Sequence, residues 1–200
     1  MLLTQSLDSI TVEDIRKLSG DEGQLLEYKR EISDGDQLCR AVAALANGAG
    51  GIVVVGIETD TDGNIVHRRG FESTDSIDNV ELSWRSKLSQ RVEPNLPNVE
   101  MKFLPSDEPG RLFGIIRMRG KSALAPHWVK NYGYEAKKKT KRKSQPSDYG
   151  PQFFLRRGNQ STPMDIHDVR AAFGASRDAT DILNELRDRR VETYLNGRAP

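Results

Sequence analysis

Hydrophobic positions along this chain change period several times, and each change marks an element. Thr11 followed by Asp14 has the form of a capping box and opens a short helix through Leu18. Leu26 and Tyr28 alternate with Glu27 and Lys29, so a strand there would bury the first pair and display the second. Leu38, Val42 and Leu45 return at helical spacing, with Asp34 or Asp36 as cap and Asn47-Gly48 as stop. Ile52–Val55 is an unbroken β-branched run, which predicts a strand covered on both faces, and Asp62-Gly63 predicts a tight turn. Ile77, Val80, Trp84 and Leu88 form another helical stripe that Pro94 and Pro97 end. Val99, Met101 and Phe103 alternate as a strand, and the turn at 105–110 joins it to a second one from Leu112 to Met118. Phe153 to Arg157 reads as a late strand. Thr162-Pro163-Met164-Asp165 predicts the cap of a following helix, and a last helix from about Asp178 to Leu195 carries Ile182, Leu183 and Leu186 on one side.

These elements describe an α+β protein whose mixed or antiparallel sheet is flanked by helices. The chain divides into an N-terminal helical segment (1–19), a main domain (20–174) with a basic insertion loop at 134–149, and a C-terminal helix (175–200). Two hundred residues suffice for one domain with a real core, although a hydrophobic share of 36% and a mean hydropathy of −0.62 leave much of the chain polar. Cys39 is the only cysteine, which excludes an internal disulfide and a multi-cysteine zinc site, and it falls in an apolar helical pattern as a small core residue. No basic leader and no membrane-length apolar run is present, so a cytoplasmic protein is expected.

A net charge of +1 provides no global attraction to nucleic acid, so any such attraction must be local. The insertion supplies a candidate. Lys137, Lys138, Lys139, Lys141, Arg142 and Lys143 place six cations in seven positions. They would repel one another without a partner, and each would release counterions on meeting a phosphate backbone. Trp128, Tyr132, Tyr134 and Tyr149 stand nearby as surfaces for base stacking. A solvated insertion without a ligand would look the same.

Candidate chemistry sits in two N-terminal stretches, Glu22-Gly23-Gln24-Leu25-Leu26-Glu27-Tyr28-Lys29 and Ala46-Asn47-Gly48-Ala49-Gly50-Gly51-Ile52-Val53-Val54-Val55-Gly56-Ile57-Glu58. Together they bring three carboxylates and a lysine toward one glycine-rich junction of helix and strand. Carboxylate oxygens suit Mg²⁺ or Mn²⁺, and such an ion beside a lysine suits phosphodiester displacement. Solvated surface acids are the plainer reading in a chain that is 30% charged. The glycines spell neither a Walker A loop nor the dinucleotide fingerprint, because they close a helix and open a strand. His67, His127 and His167 are too scattered for a metal site.

The ordered motifs resemble the Schlafen-type AlbA domain family. Its pattern is an acid, then Glu-Phe-Lys, a helix ending Ala-x-x-Asn-x-x-Gly-Gly, an apolar strand closing in Gly-Val-Asp-Asp, and a late aromatic strand with Arg-x-Gly-x-x-x-Thr. Here these are Glu22, Glu27-Tyr28-Lys29, Ala43 through Gly51, Gly56-Ile57-Glu58, and Phe153 through Thr162, with Pro94 matching the family's Pro after a helix. The resemblance spans roughly 20–172. It implies a metal-dependent endoribonuclease acting on structured RNA such as tRNA, with Glu22, Glu27 and Glu58 as catalytic metal ligands, Lys29 beside them, and Mg²⁺ or Mn²⁺ as cofactor. Glu58 stands where the family usually has Asp, with Asp60 as a fallback ligand, and Gly23 replaces a usual Ser. A non-catalytic module binding DNA, RNA or a nucleotide is the other implied function. Animal Schlafens carry this domain twice around a basic groove, which implies that a single copy pairs as a homodimer, with the Ile182, Leu183 and Leu186 helix as a candidate contact.

Overall fold

The computed structural model describes residues 2–19, 22–130 and 151–195, the side chains of 176–180, 182, 183 and 193–195 apart. The basic insertion, including Lys137, Lys138, Lys139, Lys141, Arg142 and Lys143, lies outside the described residues.

The order of elements follows the pattern of apolar periods closely. Helix α1 (Val12–Arg16) opens on Thr11, whose side chain accepts from the Asp14 amide while the Asp14 carboxylate accepts from the Thr11 amide. Strand β1 (Leu26–Lys29) leads to α2 (Gly35–Asn47), capped by Asp34 through the Gln37 amide, and then to β2 (Gly51–Val55). A hairpin of β3 (Ile57–Thr59) and β4 (Ile65–Arg68) follows, then β5 (Phe71–Glu72), α3 (Ile77–Arg91) and β6 (Val92–Glu93). Beyond them run β7 (Val99–Pro105), β8 (Arg111–Met118), β9 (Trp128–Val129), β10 (Gln152–Arg157), β11 (Gln160–Pro163) and α4 (Ile166–Leu195).

The principal sheet is mixed. β1 and β2 are parallel from Leu26↔Ile52 to Lys29↔Val55, with α2 as the connection that parallel strands require. β8 runs antiparallel to β2 on one edge, where β5 continues the same edge, and antiparallel to β7 on the other. A second sheet has the order β11-β10-β9-β6.

Both faces of β2 are covered, which is why its sequence is apolar without alternation. Val53 and Val55 face α2 and α3, joining Leu38, Val42, Leu45, Trp84 and Phe103 in the larger core. Ile52 and Val54 face a second core made with Tyr28, Ile115, Phe113 and the N-terminal residues Leu2, Ile10 and Ile15. Arg117 is tied into that side, donating to Glu100 and to the carbonyls of Leu2 and Gln5. Cys39 is fully buried in the larger core.

Two expectations near the C-terminus are corrected. Thr162 and Pro163 do not cap a helix, because Thr162 is paired with Leu155 in the β10–β11 hairpin. The cap is Asp165, whose Oδ1 accepts from the amides of His167 and Asp168 at 2.8 Å each. The Asp168 carboxylate accepts in return from the Asp165 amide. That bond, followed by the Arg157 guanidinium, holds it below the usual carboxylate range. The terminal helix also starts at Ile166 rather than near Asp178, since the run Ala171-Ala172-Phe173-Gly174-Ala175 contains a single glycine, too weak a breaker to stop it. Phe173 docks on Phe153 with centroids 6.0 Å apart, whereas Leu186 and Val191 are exposed. No described helix is long and apolar enough to cross a membrane.

Candidate functional site

Glycines set the backbone around the β1–β2 pair. Gly51 has φ +137°, and a Cβ there would lie 2.6 Å from the Leu25 carbonyl oxygen. Gly56, at φ +104°, follows β2 and presses on Gly70, where a Cβ would approach the Gly70 Cα to 2.6 Å. The Gly56 amide donates to the Lys29 carbonyl at 2.8 Å, so the ends of both strands are held side by side. The helix end before β2 is fixed by Asn47. Its Nδ2 donates to the carbonyls of His127 and Phe154, and its Oδ1 accepts from the His127 amide. His127 is fully buried, with Nδ1 donating to the Pro94 carbonyl at 2.6 Å. Burial pushes its pKa down, only partly offset by that carbonyl, which favours the uncharged ring. It is a structural histidine.

Glu27 departs from its expected exposure. The alternation along β1 pointed it outward, yet only 3% of it is exposed, as little as its neighbour Tyr28. The face it points to is covered by β10 and β11. There Arg156 donates from Nη1 to Glu27 Oε2 at 2.5 Å, and Lys29 Nζ reaches Oε1 at 2.7 Å. Ser161, opposite Arg156 in the β10–β11 hairpin, donates to the same Oε2 at 3.5 Å. Arg156 is as buried as its partner and closes the turn before β1 by donating to the carbonyls of Gly23 and Leu26. A buried carboxylate persists only with such compensation.

The other acids are placed separately. Glu22 lies at the turn, where the Gly23 amide donates to the Leu26 carbonyl, and its Oε1 accepts from the Tyr28 amide at 2.7 Å. Glu58 is half-buried on β3, opposite His67 of β4. Asp60 is engaged inside the β3–β4 turn, accepting from the amides of Asp62 and Asn64 and from the Asn64 side chain, and the Asn64 contacts hold it below the usual carboxylate range. Tested against a divalent ion, the set does not fit as it stands. Both Glu27 oxygens face cations, and among the described residues no three His, Cys, Asp or Glu side chains are grouped to hold a metal.

Past the ends of β1 and β2 opens a cavity of about 340 Å³. Arg30, Arg69 and Arg111 line it together with Glu31, Glu58, Glu72 and His67, and Phe71, Gly56 and Gly70 complete the wall. Arg111 is anchored by donating to the Gly70 carbonyl at 2.9 Å and to Glu72 at 2.7 Å. Sequence reasoning found Glu58 but missed the arginines and Arg156. Arg156 was visible only as the first residue of the Arg-x-Gly pattern. Arg69 and Arg111 carried no signal, because nothing in their spacing says that β4 and β8 end at one place.

The family profile described as Schlafen, AlbA_2 matches residues 22–165. The chain belongs to this family. No curated protein matches it. Among solved structures, the Schlafen AlbA_2 domain here is similar to the DIP2311 protein of Corynebacterium diphtheriae, at 21% identity and a TM-score of 0.39 over 82% of this chain. It spans about a quarter (25%) of that protein's length. It is also similar, at 18% identity and a TM-score of 0.43, to the N-terminal domain of a RecG-related protein from Nitrosomonas europaea that is named for an ATP-dependent DNA helicase, covering 78% of this chain and 90% of that one. Membership in the Schlafen AlbA_2 family supports a nucleic-acid-related role.

Proposed function

We propose that this protein is a non-catalytic nucleic-acid-binding module, engaging RNA or DNA with Arg69 at the end of the β1–β2 pair and with the basic segment at 134–149. The observation that carries the reading is the state of Glu27. A carboxylate enclosed by Arg156 and Lys29 serves the fold, and among the described residues it leaves no cluster of acids to hold a metal. Family membership supplies the nucleic-acid side of the proposal. Arg69, which has no side-chain partner among the described residues, is suited to meet phosphate there.

One observation favours a second reading, the metal-dependent endoribonuclease. Glu58 is half-buried with no side-chain partner among the described residues, and Lys29 remains 28% exposed beside Glu27. That reading requires Arg156 and Lys29 to release Glu27 so that Glu22, Glu27 and Glu58 can share Mg²⁺ or Mn²⁺.

Incubating labelled tRNA with the protein and Mn²⁺, with and without chelator, separates the two. Intact, retained RNA in both arms is the expected result. Cleavage that needs the metal and disappears in Glu58→Ala would replace the binding reading with the nuclease.

A further inference from the structure

Three of the polar side chains that line the cavity at the strand ends, the half-buried Glu58 and the exposed His67 and Arg69, make no ion pair or side-chain hydrogen bond among the described residues. Arg30 pairs with Glu31, and Arg111 pairs with Glu72 and Glu108. Glu58, His67 and Arg69 have no side-chain partner among the described residues, although all three line the same space. Their placement follows from the hairpin. Glu58 and His67 are directly opposite across the β3–β4 pair, so their side chains share one face. Arg69 is two residues beyond His67, just past β4, and comes to the same cavity. The hairpin is held there by the Gly56–Gly70 contact and by Ser106 Oγ donating to the Arg69 carbonyl at 2.7 Å.

An unpaired carboxylate, an imidazole and an unpaired guanidinium in one pocket do not match a simple anion, which the carboxylate would repel. They match a ligand that has hydrogen-bond donors at one end, a flat ring in the middle and a phosphate at the other. A nucleotide has that form. The carboxylate narrows the base, since its two acceptor oxygens pair best with two adjacent donors. Guanine offers N1–H and the N2 amino group side by side. Adenine and cytosine place a ring acceptor beside their amino group, and uracil has one N–H between two carbonyls. The imidazole can stack on the base, and the guanidinium can hold its phosphate in a fork. A volume of about 340 Å³ falls at the small end of ligand cavities, consistent with a single unit rather than a duplex.

We propose that this pocket accepts one unstacked guanine nucleotide of a bound strand, with Glu58 reading the base edge, His67 stacking on it and Arg69 holding the phosphate. The proposal rests on the nucleic-acid-binding reading and gives it a base preference. It is tested by titrating guanosine 5′-monophosphate, uridine 5′-monophosphate and ribose 5-phosphate into the full chain by calorimetry, alongside a long single-stranded RNA. Guanosine monophosphate should bind at least about tenfold more tightly than the uridine compound, the size of effect a good bidentate base contact gives. Glu58→Ala, and Glu58→Gln as a variant of equal volume, should level the two. Arg69→Ala should weaken all three phosphates by about tenfold, as loss of a charge-assisted hydrogen bond does, and leave the base preference in place. Equal binding of the two nucleotides, or a preference that survives both Glu58 variants, would overturn the pocket assignment. If RNA still binds in that case, the wider reading stands without it. Guanosine monophosphate binding with no RNA binding would remove the wider reading and overturn the claim that the pocket takes a base of a bound strand, leaving a site for the free nucleotide only.

Discussion

Glu27→Ala is expected to destabilise the protein by about 3–5 kcal/mol, the range for removing one partner of a buried ion pair. The substitution strands the Arg156 guanidinium, which is as buried as Glu27 and would keep only its carbonyl partners at Gly23 and Leu26. Arg156→Ala should cost a similar amount, because Glu27 would then keep only Lys29 and the long Ser161 hydrogen bond, and the turn before β1 would lose both guanidinium donors. Replacing the pair together, Glu27→Leu with Arg156→Met, should recover much of the loss, since a packed apolar pair carries no desolvation cost. Urea unfolding of the two single variants and the double variant checks this. A loss below about 1 kcal/mol in either single variant, the range of an exposed pair, would show that the ion pair is solvated and weak. The consequence for function is direct. Lost activity in Glu27→Ala would report a damaged fold as readily as a missing ligand, so the half-buried Glu58 is the acid whose truncation tests chemistry.

Asn47→Leu should be nearly as severe, at roughly 3 kcal/mol or more. The Asn47 side chain makes three hydrogen bonds in a buried setting, two to carbonyls and one from the His127 amide. Each backbone group left without a partner costs about 1–3 kcal/mol. Leucine has similar bulk but can restore none of them. The change should also loosen the joint between α2, β10 and the His127 loop, so thermal unfolding should start lower and the His127 amide should lose protection from hydrogen exchange. Unchanged protection at His127 together with a small stability loss would mean that the asparagine is not the tie between these elements.

Local elements were legible because they depend on neighbours in the chain. The Thr11–Asp14 box, the Asp34 cap, the apolar run of β2 and the helical stripe through Trp84 each carry their cause within a few residues. Glu27 was misread for the opposite reason. Strand alternation says which face a residue takes, but not whether a hairpin about 130 residues later covers that face with a matching arginine. The same distance hid Arg69 and Arg111, which join Glu58 only because β4, β5 and β8 end together. Thr162 and Pro163 have the composition of a helix start, yet pairing across the β10–β11 hairpin prevailed and moved the cap to Asp165. Asn47 and the glycines after it, which carried the resemblance, are sites of close packing: the asparagine ties three segments, and Gly51 admits the Leu25 carbonyl.

The central claim is that this domain binds nucleic acid, and a titration of fluorescent single-stranded RNA by anisotropy across a salt series tests it most directly. Binding is expected with a dissociation constant of about 10⁻⁴–10⁻⁶ M or tighter near physiological salt, weakening as salt rises with a log–log slope of about 0.7 for each phosphate neutralised. Neutralising Lys137, Lys138, Lys139, Lys141, Arg142 and Lys143 together should flatten that slope. No binding at low salt, or binding indifferent to salt, would contradict the account.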